Sequence, residues 1–138
     1  MSIRQLSVFA ENKNGSLFEI TKILAANDIN IRAFSVADTK NFGVLRLIVS
    51  DPRKAAQALS EEGKVVNVTE VVGVQIPDYK GGLSELLRVL TEAEVGVEYL
   101  YAFVSTTDKG KAHVVIRVEN NAETEALLRE KGFTLLEV

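Results

Sequence analysis

Two short stretches of this chain carry residues suited to holding a small charged molecule. "ENKNGSLFEI" (Glu11–Ile20) and "PDYKGGLSEL" (Pro77–Leu86) each place polar residues and a glycine ahead of a leucine that opens an apolar helical stripe, and Gly15 and Gly81 lie 66 residues apart. A helix N-terminus has unpaired N–H groups and a partial positive charge, which suit a carboxylate. An ammonium on the same molecule needs acceptors, and Asn12 or Asp78 could supply them. Gly15, Gly81 and Gly82 lack Cβ, so a ligand could approach the backbone closely. Asn30 offers both a donor and an acceptor. The chemistry this pattern suits is the non-covalent binding of a small charged molecule, as in a sensor, rather than catalysis.

Each residue also has a plainer reading. Ser16 with Glu19 three residues on is a capping-box signature; it starts the helix at Leu17 and already employs the Ser16 hydroxyl, which makes a cap the favoured role. Gly15 and Gly82 can serve the turn alone, and Asn30 can be a residue of the turn into a strand. Asp78 reads first as a solvated loop carboxylate.

The rest of the chain is poor in reactive groups. Cysteine is absent, which removes disulfides, thiolate chemistry and cysteine metal sites. His113 is the only histidine; within "AHVVIRV" it is expected to face solvent or pack rather than bind a metal. No Walker loop and no G-x-G-x-x-G occur, and "DYKGGL" is a weak phosphate cradle. The pairs Glu61/Glu62 and Glu92/Glu94 fall on helix ends, where solvated charge accounts for them. No catalytic residue, metal ligand or cofactor is assigned. Tyr99, Tyr101 and Phe103 alternate along one strand face. That could be an RNA-stacking platform, but a core or subunit interface is favoured, since no RNP pattern or basic surface accompanies them.

Composition narrows the partners. The chain has 138 residues, is 46% hydrophobic and 25% charged, and carries a net charge of −3, the balance of a soluble globular protein. Through Glu70 there are 9 basic and 8 acidic residues, and after it 7 and 11, so neither half has the dense positive stripe that nucleic acid requires. No apolar run is long enough to span a bilayer. "MSIRQLSVFA" does not read as a signal peptide, so the expected location is cytoplasmic.

The elements that must position the paired junctions follow from periodicity. Ile3–Ala10 alternates as a strand. Leu17, Ile20, Ile23 and Leu24 recur at helical spacing. Ile29–Ala37 and Phe42–Ser50 are strands around the hairpin "DTKN". "DPRKAAQALSEEG" opens with an Asp cap and a first-turn Pro and stops at Gly63. Lys64–Val71 is a further strand. The second half repeats the order: strand Val72–Ile76, a helix marked by Leu83, Leu86, Leu87 and Leu90, strands Val95–Ser105 and Ala112–Val118 around "TTDKGK", helix Ala122–Lys131 and strand Phe133–Val138. Leu24 pairs with Leu90 and Ile31 with Val97 at the offset of 66, and Gly63 with Gly132 at 69, which fits a longer second hairpin. The expectation is α+β: two βαββαβ units, 1–71 and 72–138, each a four-stranded antiparallel sheet with two helices on one face. Units this small leave edges and faces to cover, and a homodimer is expected.

With those residues in place, the chain resembles the ACT domain, a ferredoxin-like module. The first copy reads Asn12-Lys-Asn14-Gly15-Ser16-Leu17, then Asp28-Ile-Asn30-Ile31. The second reads Asp78-Tyr-Lys-Gly81-Gly82-Leu83, then Glu94-Val-Gly96-Val97. The resemblance covers nearly the whole chain and includes no catalytic domain. It implies a free-standing tandem protein that binds an amino acid and acts as an allosteric sensor or regulatory subunit, with a metabolic enzyme as a partner. Carried over by position, the ligand contacts are Asn12, Asn14, Gly15, Ser16, Leu17 and Asn30, and Asp78, Gly81, Gly82 and Leu83. The copies depart from the family pattern differently: Asn12 stands where the family prefers an acid, Asn14 and Lys80 where Pro is common, and Gly96 where the first copy has Asn30. The two sites are therefore not expected to be equivalent, and the first is the favoured one. A small ferredoxin-like enzyme of acyl-phosphate hydrolase or isomerase type is the alternative, although neither loop has the Arg an acylphosphatase would need. A structural subunit without a ligand is another.

Overall fold

The computed structural model describes residues 2–38, 42–105 and 107–136. Two compact units make up the chain. The N-terminal unit spans Arg4–Thr69, and the C-terminal unit spans Glu70–Val138 together with Met1–Ile3.

The N-terminal unit runs β1 (Ile3–Glu11), α1 (Ser16–Ala26), β2 (Ile31–Asp38), β3 (Phe42–Val49) and α2 (Pro52–Glu61), then enters β4 (Val66–Pro77). Its strands are ordered β2-β3-β1-β4. β3 pairs antiparallel with both neighbours, so that Leu47 lies opposite Leu6 on one side and Phe34 on the other. Alternation sends Leu6, Val8 and Ala10 of β1 and Leu45, Leu47 and Val49 of β3 to one face, where they meet Ile20 and Leu24 of α1 and Ala55 and Leu59 of α2. The hairpin residues Thr39–Asn41 lie outside the described residues.

The C-terminal unit repeats the order with β4, α3 (Gly82–Glu92), β5 (Val97–Val104), β6 (Lys111–Val118), α4 (Asn121–Glu130) and β7 (Thr134–Leu135). β7 pairs with β4, β4 with β6, and β6 with β5, all antiparallel. Val72, Val74 and Ile76 of β4 pack with Leu86 and Leu90 of α3, Val114 and Ile116 of β6 and Leu128 of α4. The fold is thus α+β, with βαββαβ written twice. The separate strands expected at Lys64–Val71 and Val72–Ile76 are one strand of 12 residues, β4.

Helix ends follow their local chemistry. Asp51 accepts the Lys54 N–H at 3.1 Å with Pro52 at the first helical position, and Asn120 accepts the Glu123 N–H at 3.1 Å. Behind α2 the Lys64 N–H reaches the Leu59 carbonyl at 3.0 Å, and behind α4 the Phe133 N–H reaches Leu128 at 2.9 Å. Gly63 and Gly132 make these closures at positive φ. After α1 and α3 the same closure uses Asp28 (φ 58°) and Glu94 (φ 59°).

The capping box at Ser16 does not form. Gly15, left-handed at φ 90°, is the N-cap of α1 and no side chain caps the helix. Ser16 is drawn into the first helical position, and its N–H donates to the Lys13 carbonyl at 3.3 Å. A glycine able to turn the chain at positive φ removes the need for a hydroxyl cap, and the Glu19 carboxylate is left for another partner.

Candidate functional site

The two helix starts share one backbone frame. Gly15 and Gly81 have φ of 90° and 91° and ψ of −9° and −7°. The Gly15 carbonyl accepts the Glu19 N–H at 2.9 Å, and the Gly81 carbonyl accepts that of Glu85 at 2.9 Å. Neither start carries a side-chain cap; the Ser16 and Gly82 N–H groups donate back to the Lys13 and Tyr79 carbonyls, and the N–H groups that follow them in each first turn have no intrahelical acceptor.

Side chains make the two ends different. Beside the start of α1 is a hollow of about 260 Å³. Its polar lining is Ser16, Glu19 and Lys64, together with Glu11 and Lys13. Lys64 Nζ lies 2.8 Å from Glu19 Oε1 and Lys13 Nζ 3.2 Å from Glu11 Oε2. The hydrogen bond and charge of Lys64 hold the Glu19 carboxyl below the usual carboxylate range. Ser16 is only 8% exposed, and no hydrogen bond of its hydroxyl is found among the described residues. Ala10 and Ile20 line the hollow as well, and Phe9, Phe42 and Val65 complete its lining, Phe9 and Phe42 from positions that alternate away from the face of Val8, Ala10 and Leu45.

Of this polarity the C-terminal unit keeps only the acid, Glu85 for Glu19. At the offsets of the repeat, Glu11 becomes Pro77, Lys13 becomes Tyr79, Ser16 becomes Gly82 and Lys64 becomes Phe133. Phe133 packs against the core of its unit. Glu85, the counterpart of Glu19, is paired with Arg88 of its own helix, whose Nε donates to it at 3.0 Å. That bond holds the Glu85 carboxyl low and the Arg88 guanidinium above its already high value. Glycine is obligatory at Gly82, since a Cβ there would stand 2.4 Å from the Pro77 carbonyl oxygen.

The predicted contacts divide accordingly. Asn12, Asn14, Gly15 and Leu17 are exposed around the first helix start, and Ser16 alone of them lines the hollow. Asp78, Gly81 and Leu83 are exposed at the second start, where the Asp78 N–H donates to the Gly110 carbonyl at 2.7 Å. Asn30, carried over as a contact of the first site, lies away from the start of its own helix. It follows the C-terminal end of α1, an 11-residue helix about 16 Å long. There its N–H donates to Ser50 Oγ at 3.0 Å and its carbonyl accepts the Ser50 N–H at 2.9 Å. A helix returning along an antiparallel sheet puts its two ends at opposite ends of the strands: Glu11 registers with Phe42, whereas Ile31 registers with Val49.

Glu19 and Lys64 were not legible as site residues. Glu19 reads as a cap partner and Lys64 as the first residue of a strand. The signal was the contrast between copies, a charge at Lys64 where the repeat has Phe133. A larger hollow of about 510 Å³ in the C-terminal unit is rimmed by Glu94, Glu98, Glu119 and Glu123 and includes Gly96, the counterpart of Asn30. It lies at the start of α4 and includes no residue from the starts of α1 or α3. His113 packs edge-on against Phe103, with ring centroids 5.1 Å apart. Among the described residues no cluster of three or more His, Asp or Glu is placed to hold a metal, and no helix is long and apolar enough to cross a membrane.

Residues 1–137 match the family described as an ACT domain pair. The chain belongs to that family. The ACT pair is also similar to a solved structure, protein BT0572 from Bacteroides thetaiotaomicron. The two are 43% identical with a TM-score of 0.91, over 99% of this chain and 92% of that one. It shares its fold with the ligand-free regulatory subunit of aspartate kinase from Thermus thermophilus (14% identity, TM-score 0.68, 91% of this chain and 87% of that one). The same holds for the regulatory subunit of aspartate kinase from Thermus flavus (17%, 0.63, 91% and 88%). No curated protein matches the ACT pair.

Proposed function

We propose that this ACT pair is a regulatory protein without catalysis of its own, and that it senses a free amino acid at the start of α1. The observation that carries the reading is the polar lining of the 260 Å³ hollow. Uncapped N–H groups and Lys64 suit a carboxylate, Glu19 suits an ammonium, and the Ser16 hydroxyl can bond to either. Two like-shaped structures are regulatory subunits of aspartate kinase, which supports regulation of a metabolic enzyme as the role here. No converging acid, base and nucleophile accompanies the hollow, so binding is a better account of it than turnover.

Two functional domains, 1–71 and 72–138, give one working site and one degenerate copy in a cytoplasmic homodimer. The dimer is supported by Phe34, 69% exposed on β2, a strand at the edge of its sheet. A thermal-shift screen against the twenty amino acids, followed by calorimetry on Lys64→Ala, tests the reading. It predicts that at least one amino acid binds at millimolar concentration or below and that Lys64→Ala weakens it. If none binds, the role of a structural subunit without a ligand replaces it.

A further inference from the structure

The hollow of about 510 Å³ at the start of α4 opens where the N-terminal unit is tied shut. There the Ser50 N–H donates to the Asn30 carbonyl at 2.9 Å, Ser50 Oγ accepts the Asn30 N–H at 3.0 Å, and Ala55 is fully buried. At the offsets of the repeat, Ser50, Asn30 and Ala55 become Glu119, Gly96 and Thr124. No hydrogen bond joins Gly96 to Glu119 among the described residues. Pairing of β5 with β6 ends at Val97 and Val118, and the hollow opens beyond that pair.

The lining carries charge of one sign. Glu94, Glu119 and Glu123 belong to it and no basic residue does, where the first copy has Asp28, Ser50 and Lys54. None of the three acids has an ion-pair partner among the described residues, whereas Glu98 is turned to Arg117 at 3.4 Å. Acids at the start of α4 also favour its N-terminus, but that does not account for Thr124. Thr124 is 2% exposed and lines the hollow. Its hydroxyl has no hydrogen-bond partner among the described residues and is not sealed from solvent, so it opens on the hollow. A hydroxyl otherwise enclosed by protein takes its partner from that space. Among the described residues no three acids converge to hold a metal. The carboxylates come instead from two segments, the turn behind α3 and the start of α4, and Val95, Val97 and Leu127 supply apolar lining. Such a lining suits separate ammonium groups on an alkyl chain better than a point charge.

We propose that this hollow is a second binding site, separate from the one at α1, and that it takes a linear alkyl diamine or polyamine. The ammonium groups go to the Glu94, Glu119 and Glu123 carboxylates, with the Thr124 hydroxyl and the Gly96 carbonyl as further acceptors, and the methylenes cover Val95, Val97 and Leu127. The volume lies within the range of small-molecule sites. The residues after Glu70 include 7 basic and 11 acidic ones, a balance that draws cations in.

Calorimetry on the full chain at fixed ionic strength with putrescine, spermidine, n-butylamine and magnesium chloride tests this. Putrescine or spermidine is expected to bind at least about tenfold more tightly than n-butylamine or magnesium, the scale of one added charge-assisted hydrogen bond. Thr124→Val and Glu123→Gln should each weaken that binding about threefold or more, and Lys64→Ala at the other site should leave it within about twofold. If Thr124→Val does not fold, Glu123→Gln decides. If n-butylamine or magnesium binds as tightly as the diamine and the polyamine, the hollow attracts charge alone and the proposal is overturned. It is overturned too if neither putrescine nor spermidine binds at about millimolar concentration, if Glu123→Gln changes nothing, or if Lys64→Ala weakens binding as much as Glu123→Gln does. None of these results bears on amino-acid binding at α1, which Lys64→Ala tests with amino acids.

Discussion

Lys64 Nζ sits 2.8 Å from Glu19 Oε1 and joins the residue after the glycine stop of α2 to the first turn of α1. Lys64 is the more sheltered partner, its side chain 22% exposed against 56% for Glu19. The pair belongs to the polar lining of the hollow at α1, and the repeat keeps only its acid.

Lys64→Met should weaken amino-acid binding about tenfold, the scale of one charge-assisted hydrogen bond. Thermal unfolding should move little, because an ion pair open to water on one side is screened. Calorimetry and a melting curve on the same preparation check both halves. A large fall in melting temperature with unchanged affinity would mark the pair as structural instead.

Acid should loosen the same contact. The Glu19 carboxyl is held below its ordinary value of 4.5 by Lys64. A depressed carboxylate contributes stability that is fully present above the unfolded value and is lost as pH falls through the lowered folded value. The contribution should therefore be intact near neutrality and disappear only below the usual carboxylate range. Comparing the acid limb of the melting temperature in wild type and Glu19→Gln tests it. The two curves should converge at low pH.

Gly82→Ala should destabilise the C-terminal unit by about 2 kcal/mol or more, since its Cβ would stand 2.4 Å from the Pro77 carbonyl oxygen and backbone must move. Gly15→Ala meets no atom within 4 Å and should cost only the strain of φ near 90°, about 1–2 kcal/mol. Denaturant unfolding of both variants gives the order.

Glu94→Gly should stabilise the chain by up to about 1 kcal/mol. Glu94 holds φ 59° behind α3, where Gly63 and Gly132 make the matching turns behind α2 and α4, and glycine takes that conformation without a Cβ penalty. A higher denaturant midpoint with unchanged slope is the expected result.

Phe34→Glu should leave the fold intact and shift the proposed dimer toward monomer, because Phe34 is exposed on the edge strand β2. Light scattering at tens of micromolar, an order-of-magnitude concentration for a stable interface, decides it. A wild-type monomer at that concentration would remove the dimer itself.

The sequence by itself determined what depends on neighbours along the chain. Alternation in Leu6, Val8 and Ala10, helical spacing in Ile20 and Leu24, the Asp51-Pro52 start and the Gly63 and Gly132 stops each act within a few residues, so strands, helices and the βαββαβ repeat were legible. The two helix starts were legible for the same reason, as Gly15 and Gly81 turn the chain by their own φ. Tertiary structure decided what depends on distant partners. Asn30 and Gly15 are 15 residues apart yet separated by the length of α1, because the helix carries the chain back along the sheet. Glu19 and Lys64 are 45 residues apart yet in contact, because α2 ends beside the first turn of α1. A residue's type and spacing report local conformation, whereas a binding hollow is made by side chains that only packing brings together.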